Sequence, residues 1–440
     1  MMSAPELRYA LVILDGLGDR PHPDTGGQSP VEAAATPNLD RLAQEGQLGQ
    51  IVVVGPGIAP ESDAGVYALL GYDPIQDSPG RGVLEAEGLG LPMAPDDVAF
   101  RMNFATIDGD RRVLDSRVGR SLSTSEAQEL ARALTAARLL DDRGIDVRVA
   151  ASVGHRGVVT LHARDPHQPI SPNLSNTDPF YERTGGLGAA RRSDDPRILP
   201  VAALESSAAA QRTAEAVNLW VTRALDLLAG HPVNARRALS GRKIANGILL
   251  RNSGAPGAHL PVSFEGKYGI RGGALTEMPV ERGIARRLGL ADRFVGPMGP
   301  DREAGYAARA KAARELLAES PFVYVHLKGP DEPGHDGQAR QKLEIIEAID
   351  RSFFGPFLEG LDPTRIRLAV TADHATPAIL KGHSDDPVPL LLWGAGVAAG
   401  PRTVPRPQFG ERSASRGSLG TLRGAQLMPL LLGPRGPSPS

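Results

Sequence analysis

Near-continuous apolar runs that stop abruptly at an acidic, histidine or glycine residue constrain this chain more than any other feature. The first, Tyr9-Ala-Leu-Val-Ile-Leu14, ends at Asp15-Gly16. Further runs cover residues 50–54, 322–327, 365–371 and 388–393. Runs without polar alternation are typical of strands buried on both faces of a parallel sheet. Parallel strands need crossover connections, and helical patterns supply them. Thr36 reads as the cap of one helix, with Pro37 at its first position. Residues 338–361 read as a long amphipathic helix, with Leu343, Ile346, Ile349, Phe353 and Phe357 at helical spacing. The expected fold class is α/β, a mostly parallel sheet flanked by helices on both faces.

The middle of the chain has another rhythm. Residues 99–107 read as a strand, and 123–140 as a helix opened by a Ser123/Glu126 capping box. Shorter strands at 146–152 and 156–162 alternate polar and apolar residues, and a second helix is expected over 213–228. Strands and helices do not alternate here, so an inserted α+β domain is expected at 90–255. It would divide a core formed by 1–89 and 256–440, through Gly/Pro-rich connections near 71–92 and 252–262. A length of 440 residues suits two or three domains.

Composition excludes several classes. The formal net charge is −2, so bulk electrostatics imply no nucleic-acid partner. No apolar run is long enough to cross a bilayer, and no basic segment precedes an apolar leader; a cytoplasmic location without a membrane partner is expected. Nothing in the sequence selects an oligomeric state. The chain has no cysteine, which removes disulfides, thiolate zinc sites and cysteine nucleophiles together. Any metal must be held by carboxylate, imidazole or hydroxyl groups.

Such groups fall at the ends of the expected strands, where open α/β sheets collect their chemistry. They are Asp15, the pair Asp331 and His335 in Asp-Glu-Pro-Gly-His, Asp373-His374, and His383. Singly, each has a plain reading as a turn or loop residue. Together they form a ligand set sufficient for two divalent ions. Ser62, in Pro-Glu-Ser-Asp-Ala-Gly at an expected helix start, reads either as an N-cap or as a nucleophile. The metal set favours the nucleophile, because a bound cation lowers a hydroxyl pKa and a helix N-terminus receives phosphoryl oxygens.

Motifs spanning nearly the whole chain carry a family resemblance. They include LDGLGDRP (14–21), TPNLDRLA (36–43), PESDAGVYALLGYDP (60–74), GRGVLEAEGLG (80–90), AFRMNFATIDG (99–109), DSRVGR (115–120), HRGVV (155–159) and HPVN (231–234). FEGKYGIRGGA (264–274), KGPDEPGHDG (328–337), TADHATP (371–377) and HSDDPVP (383–389) continue the series. In this order they resemble the archaeal-type, 2,3-bisphosphoglycerate-independent phosphoglycerate mutases of the alkaline phosphatase superfamily. The resemblance implies an alkaline-phosphatase-like core and a phosphoserine at Ser62. It also implies two ligand groupings: Asp331, His335 and His383 for one metal, and Asp15, Ser62, Asp373 and His374 for the other. Manganese suits this mixture of oxygen and nitrogen best, with magnesium, cobalt or zinc as alternatives, and no 2,3-bisphosphoglycerate is expected.

The implied phosphoglycerate substrate carries a phosphate and a carboxylate, both suited to arginine's planar fork. Arg117 and Arg120 in DSRVGR, His155 and Arg156 in HRGVV, and Arg251 are candidates in the insertion, with Lys267 from the core edge. Asp178 is a candidate proton carrier for the glycerate hydroxyls, or a turn residue. The rival expectations are a metal-dependent phosphatase or phosphonate hydrolase on the same core, and a catalytically silent metal-binding relative.

Overall fold

The computed structural model describes residues 7–184, 187–191, 193–257, 260–400 and 407–433. The chain forms two compact units, one from Met1–Asp77 with Pro261–Ser440, the other from Ser78–Leu260. The division therefore falls at 78 and 260, not at the expected 90 and 255. The reason is the helix Arg81–Gly88, which packs on the strands Val98–Ile107 and Gly247–Gly254 of the second unit. Its Glu85 reaches Arg101 on the first of these strands, Nε to Oε1 3.5 Å.

The first unit is built on an eight-stranded sheet. Its spatial order is Ala291–Phe294, Gly272–Thr276, Phe322–Leu327, Arg8–Leu14, Ile366–Thr371, Val388–Gly394, Gln47–Val52, Thr421–Arg423. Every neighbouring pair is parallel except the two made by Val388–Gly394, which runs antiparallel to both neighbours. The central strands are buried along their apolar runs, and only Arg8 and Arg367 on them are part-exposed. The strand expected at 50–54 begins earlier, at Gln47, because pairing with Val388–Gly394 extends over Gln47 to Ile51.

The expected helix over 338–361 is not uniform. It is α-helical over Ala339–Ile349, widens to a π turn over Asp350–Phe354, and closes with Gly355–Leu358. Asp350 sits at this widening, fully buried, and its carboxylate accepts from the backbone N–H groups of Asn38 and Leu39. Those N–H groups open the helix Pro37–Glu45, whose cap residue Thr36 makes no side-chain cap bond. A carboxylate from another helix thus takes the orphan donors at this N-terminus.

The second unit is α+β. Val98–Ile107, buried at every position, pairs antiparallel with Arg156–Ala163 and Gly247–Gly254, and at its end with Val113–Asp115. Ile145–Ala151 extends the sheet beyond Arg156–Ala163. The helices Thr124–Ala136 and Ala208–Ala229 contribute Leu130, Leu134, Val217, Trp220 and Leu228 to its core. The Ser123/Glu126 capping box is present.

Candidate metal centre and nucleophile

Three adjacent parallel strands bring distant residues together at their C-terminal ends. Leu14 pairs with Leu327 and Ile13 with Thr371, so Asp15, Lys328 and Asp373 emerge side by side. The Asp15 N–H still continues the ladder, donating to Leu327 O at 3.0 Å. Gly16 then turns the chain at φ +62°, and its N–H donates to Asp373 Oδ1 at 3.1 Å. A Cβ at this position would lie 2.8 Å from Asp331 Oδ1 and 2.7 Å from Thr376 Oγ1, so glycine lets the loops converge.

Two clusters of metal-ligand chemistry result. Asp331, His335 and His383 form one, and Asp15, Asp373 and His374 the other; within each, ligand atoms lie within 4.8 Å of one another. Asp331 and His335 lie one turn apart on the helix Asp331–Asp336, with Nε2 3.5 Å from Oδ1. His383 Nε2 lies 3.4 Å from the same oxygen. In the buried cluster, His374 Nε2 is 3.5 Å from Asp15 Oδ1 and 3.4 Å from Asp373 Oδ2. The rings of His374 and His383 stack, centroids 3.8 Å apart, which places the clusters beside each other.

Ser62 is the first residue of the helix Ser62–Leu69, and the cap position belongs to Glu61. Its hydroxyl therefore does not act as an N-cap. Oγ lies 3.3 Å from His374 Nε2 and 3.5 Å from Asp15 Oδ1, at the edge of the buried cluster. The helix approaches the Asp373 loop through Gly65, where a Cβ would collide with the Asp373 carbonyl oxygen.

Hydrogen bonds fix the histidine tautomers. Thr376 Oγ1 donates its one proton to Asp331 Oδ1 at 2.7 Å, so it accepts from His374 Nδ1 at 3.0 Å. His383 Nδ1 donates to Pro60 O at 2.7 Å, since a carbonyl can only accept. In its neutral form each ring then presents its Nε2 lone pair inward, the usual arrangement behind a metal-binding imidazole, and in its protonated form it donates from Nε2 instead.

The electrostatics are those of a buried cluster of anions held ionised. Burial alone would raise the Asp15 carboxyl, but the Lys328 ammonium and hydrogen bonds from His326 and His374 hold it well below the usual range. Asp331 is also lowered: burial and the Asp15 charge oppose ionisation, and His383 and His374 outweigh them. Burial opposes Asp373 too, and His374 and His326 lower it. Burial would depress His374, yet Asp373 and Asp15 raise it. Ionised carboxylates and inward lone pairs are the donor forms a divalent cation requires.

Residues with no assigned role at the level of sequence complete this centre. His326 Nε2 lies 3.3 Å from Asp373 Oδ2, and its Nδ1 3.1 Å from the Tyr324 hydroxyl. Carboxylate neighbours raise His326 to about 9 against the opposing effects of burial and Lys328. Lys328 Nζ lies between Asp15 and Glu281. Its only sequence signal was membership of the motif that also carries Asp331.

Lys267, on the short helix Phe264–Tyr268, donates to Gly71 O at 2.5 Å and lies 4.3 Å from the centre of the Tyr72 ring. The second unit holds the remaining candidates. His155 is buried; burial and the charges of Arg156, Arg117, Arg101 and Arg120 press its pKa down to about 3. The four charges act together to keep this imidazole neutral, and Arg101 contributes from the strand Val98–Ile107. The turn carrying Arg117 and Arg120 is strained, with Val118 at φ +53° and Arg120 at φ +52°. Such conformations cost about 1–3 kcal/mol each and concentrate at ligand clamps. Arg251 stacks on Tyr181, Cζ 3.5 Å from the ring centre, and lies 3.7 Å from Asp178 Oδ2. Asp178 Oδ1 accepts from the Phe180 N–H at 3.0 Å, as a turn residue does.

Comparison with known proteins gives this geometry its family. A mutase of Aeropyrum pernix, described as a 2,3-bisphosphoglycerate-independent phosphoglycerate mutase, is 42% identical over 95% of this chain and 97% of its own. The chain belongs to the 2,3-bisphosphoglycerate-independent phosphoglycerate mutase family. The model of that family matches residues 43–234. A member from Pyrococcus horikoshii is 37% identical over 96% of this chain and 95% of its own. The solved cofactor-independent phosphoglycerate mutase of Thermoplasma acidophilum superposes with a TM-score of 0.59, at 30% identity, over 97% of this chain and 99% of that one. A solved Pyrococcus horikoshii protein superposes with a TM-score of 0.75, at 29% identity, over 99% and 100%. Membership of this mutase family and the two ligand clusters together point to use of divalent metal. Among the described residues no helix is long and apolar enough to cross a membrane.

Proposed function

We propose that this chain interconverts 3-phosphoglycerate and 2-phosphoglycerate, a step of glycolysis and gluconeogenesis, without 2,3-bisphosphoglycerate. The observation that carries this reading is the position of Ser62 Oγ, 3.3 Å from His374 Nε2 and 3.5 Å from Asp15 Oδ1. A hydroxyl at the edge of a buried metal-ligand cluster is placed for nucleophilic work.

Asp331, His335 and His383 would hold one divalent ion, and Asp15, Ser62, Asp373 and His374 the other. When bound, such ions neutralise phosphoryl charge and lower the pKa of a coordinated hydroxyl. Manganese fits the mixed oxygen and nitrogen donors best, with magnesium, cobalt and zinc as alternatives. Ser62 Oγ gives up its proton and attacks phosphorus in line, and the bond from phosphorus to the glycerate oxygen breaks. The released glycerate oxygen gains a proton. The other hydroxyl of the glycerate then loses a proton and attacks the phosphoserine; the bond from phosphorus to Ser62 Oγ breaks, and Oγ takes a proton back. Arg117, Arg120 and Arg156 are assigned to the phosphate and carboxylate of the substrate, with His155 as a neutral hydrogen-bonding partner. Arg251, braced by Asp178 and Tyr181, adds a fixed charge, and Lys267 is assigned to the phosphate. The bond from Asp178 to the Phe180 N–H favours an orienting role over proton transfer.

A phosphatase would share the first step and lose the second to water. Metal-loaded protein given 3-phosphoglycerate without bisphosphoglycerate should form 2-phosphoglycerate with little inorganic phosphate. Stoichiometric phosphate release without isomer formation would place the chain among hydrolases.

A further inference from the structure

Beside Asp15 lies an ammonium that the proposed reaction leaves without a task. Lys328 directly follows the strand Phe322–Leu327, and the pairing of Leu14 with Leu327 sets it next to Asp15. Its Nζ lies 3.2 Å from Asp15 Oδ2 and 3.0 Å from Glu281 Oε1. Glu281 is almost fully buried on the helix Pro279–Arg287. Its other oxygen, Oε2, accepts from the N–H groups of Glu277 at 2.8 Å and Met278 at 3.0 Å. Those two bonds fix the carboxylate, and the carboxylate fixes the ammonium. Asp15 consequently has its oxygens divided: Oδ2 faces Lys328, while Oδ1 faces Ser62, His374 and His326.

We infer that Lys328 is a positioning residue of the metal centre: held by Glu281, it occupies one oxygen of Asp15 and leaves the other to the ion beside Ser62. The inference rests on the reading that Asp15, Asp373 and His374 hold a divalent ion. A carboxylate free to offer both oxygens would draw an ion back, away from the serine hydroxyl. The ammonium prevents that, at a cost in metal affinity, because a fixed positive charge stands behind a divalent cation. The centre thus gives up tightness of binding for the placement of its nucleophile.

The signature is a pair of opposite shifts. Metal-stripped His335→Ala protein, alone and combined with Lys328→Met or Glu281→Gln, is titrated with Mn2+ by calorimetry, so that the Asp15 cluster is read with the other one weakened. Thermal melts check folding. Lys328→Met is expected to bind Mn2+ about tenfold tighter, since the opposing charge is gone. In the otherwise wild-type chain it should lower kcat on the order of tenfold to a hundredfold with KM little changed. Glu281→Gln should bind Mn2+ more weakly, because the ammonium charge is no longer balanced by its anion. General loosening of the pocket would weaken binding in both variants. That result, or no shift in either, overturns the inference. If Lys328→Met does not fold, Glu281→Gln alone decides: tighter or unchanged binding overturns the inference. Failure of the wild type with intact His335 to bind any divalent ion would instead sink the metal reading beneath it.

Discussion

Lys342 Nζ lies 2.8 Å from Asp19 Oδ2, and both side chains are closed to solvent. The ammonium also donates to Gly18 O at 3.2 Å and Thr376 O at 2.9 Å, while Asp19 accepts from the Ala378 N–H. One buried ion pair therefore ties the loop after Asp15 to the loop after Asp373. Every donor of the lysine is used, which is the condition under which a buried pair is tolerated.

Removing one partner should be costly. Lys342→Met is expected to destabilise the protein by about 3–5 kcal/mol, as an unpaired buried carboxylate remains. Replacing Asp19 by Leu in the same chain should recover part of that loss. Denaturant melts of the two single variants and the double variant test this; additive losses would show that the two residues act independently.

Ser62→Ala should abolish isomerisation while the fold and the Asp331, His335 and His383 cluster persist. A drop in kcat of at least about a thousandfold is expected for a lost nucleophile. Steady-state kinetics of the metal-loaded variant and Mn2+ titration check the two halves. Substantial residual mutase activity would reassign the nucleophile.

Chelation should inactivate the enzyme, and added Mn2+ should restore it. Stripped protein should also melt at lower temperature, because the ion binds only the folded chain. Scanning calorimetry with and without Mn2+ reads this directly; activity that survives exhaustive chelation contradicts the assignment.

Glu411 supplies a pH test on a residue outside the two metal-ligand clusters. Burial pushes its carboxyl up to about 7, against hydrogen bonds from Ser29 and the Asp19 N–H. The folded chain therefore holds a proton that the unfolded chain releases near the ordinary carboxylate range. Stability conferred by that proton is present at low pH and falls as pH rises toward 7. Glu411→Gln should match the wild type near pH 4.5 and melt higher above pH 7, by about 2 °C. Melting curves across pH 4.5–8 decide; a constant difference would remove the titration from the explanation.

Much of this was legible in the sequence for a simple reason. An apolar run buried in a parallel sheet must end, and the polar residue at its end is displayed where loops converge. Asp15 and Asp373 were visible on that ground, and the Asp331/His335 pair by helical spacing. What depended on register was not visible. Lys328 reads as a solvated lysine until Leu14 is known to pair with Leu327. Nothing in the sequence sets Glu281 apart from the chain's other acidic residues. The antiparallel course of Val388–Gly394 leaves no trace in its apolar pattern, which is the same for either direction. The π turn at Asp350 was hidden because the apolar spacing runs through it, and the bonds of its carboxylate to Asn38 and Leu39 join residues far apart in the chain.

Gly65 carries a consequence for how such a centre is read by experiment. The serine helix rests on the Asp373 loop at a point where no side chain fits. Alanine scanning measures what is lost when atoms are deleted; at this position it would measure the arrival of one. A methyl group there would act as a wedge, parting the hydroxyl from its cluster while leaving every ligand intact. The spacing of the centre is thus encoded in an omission as much as in its charged residues.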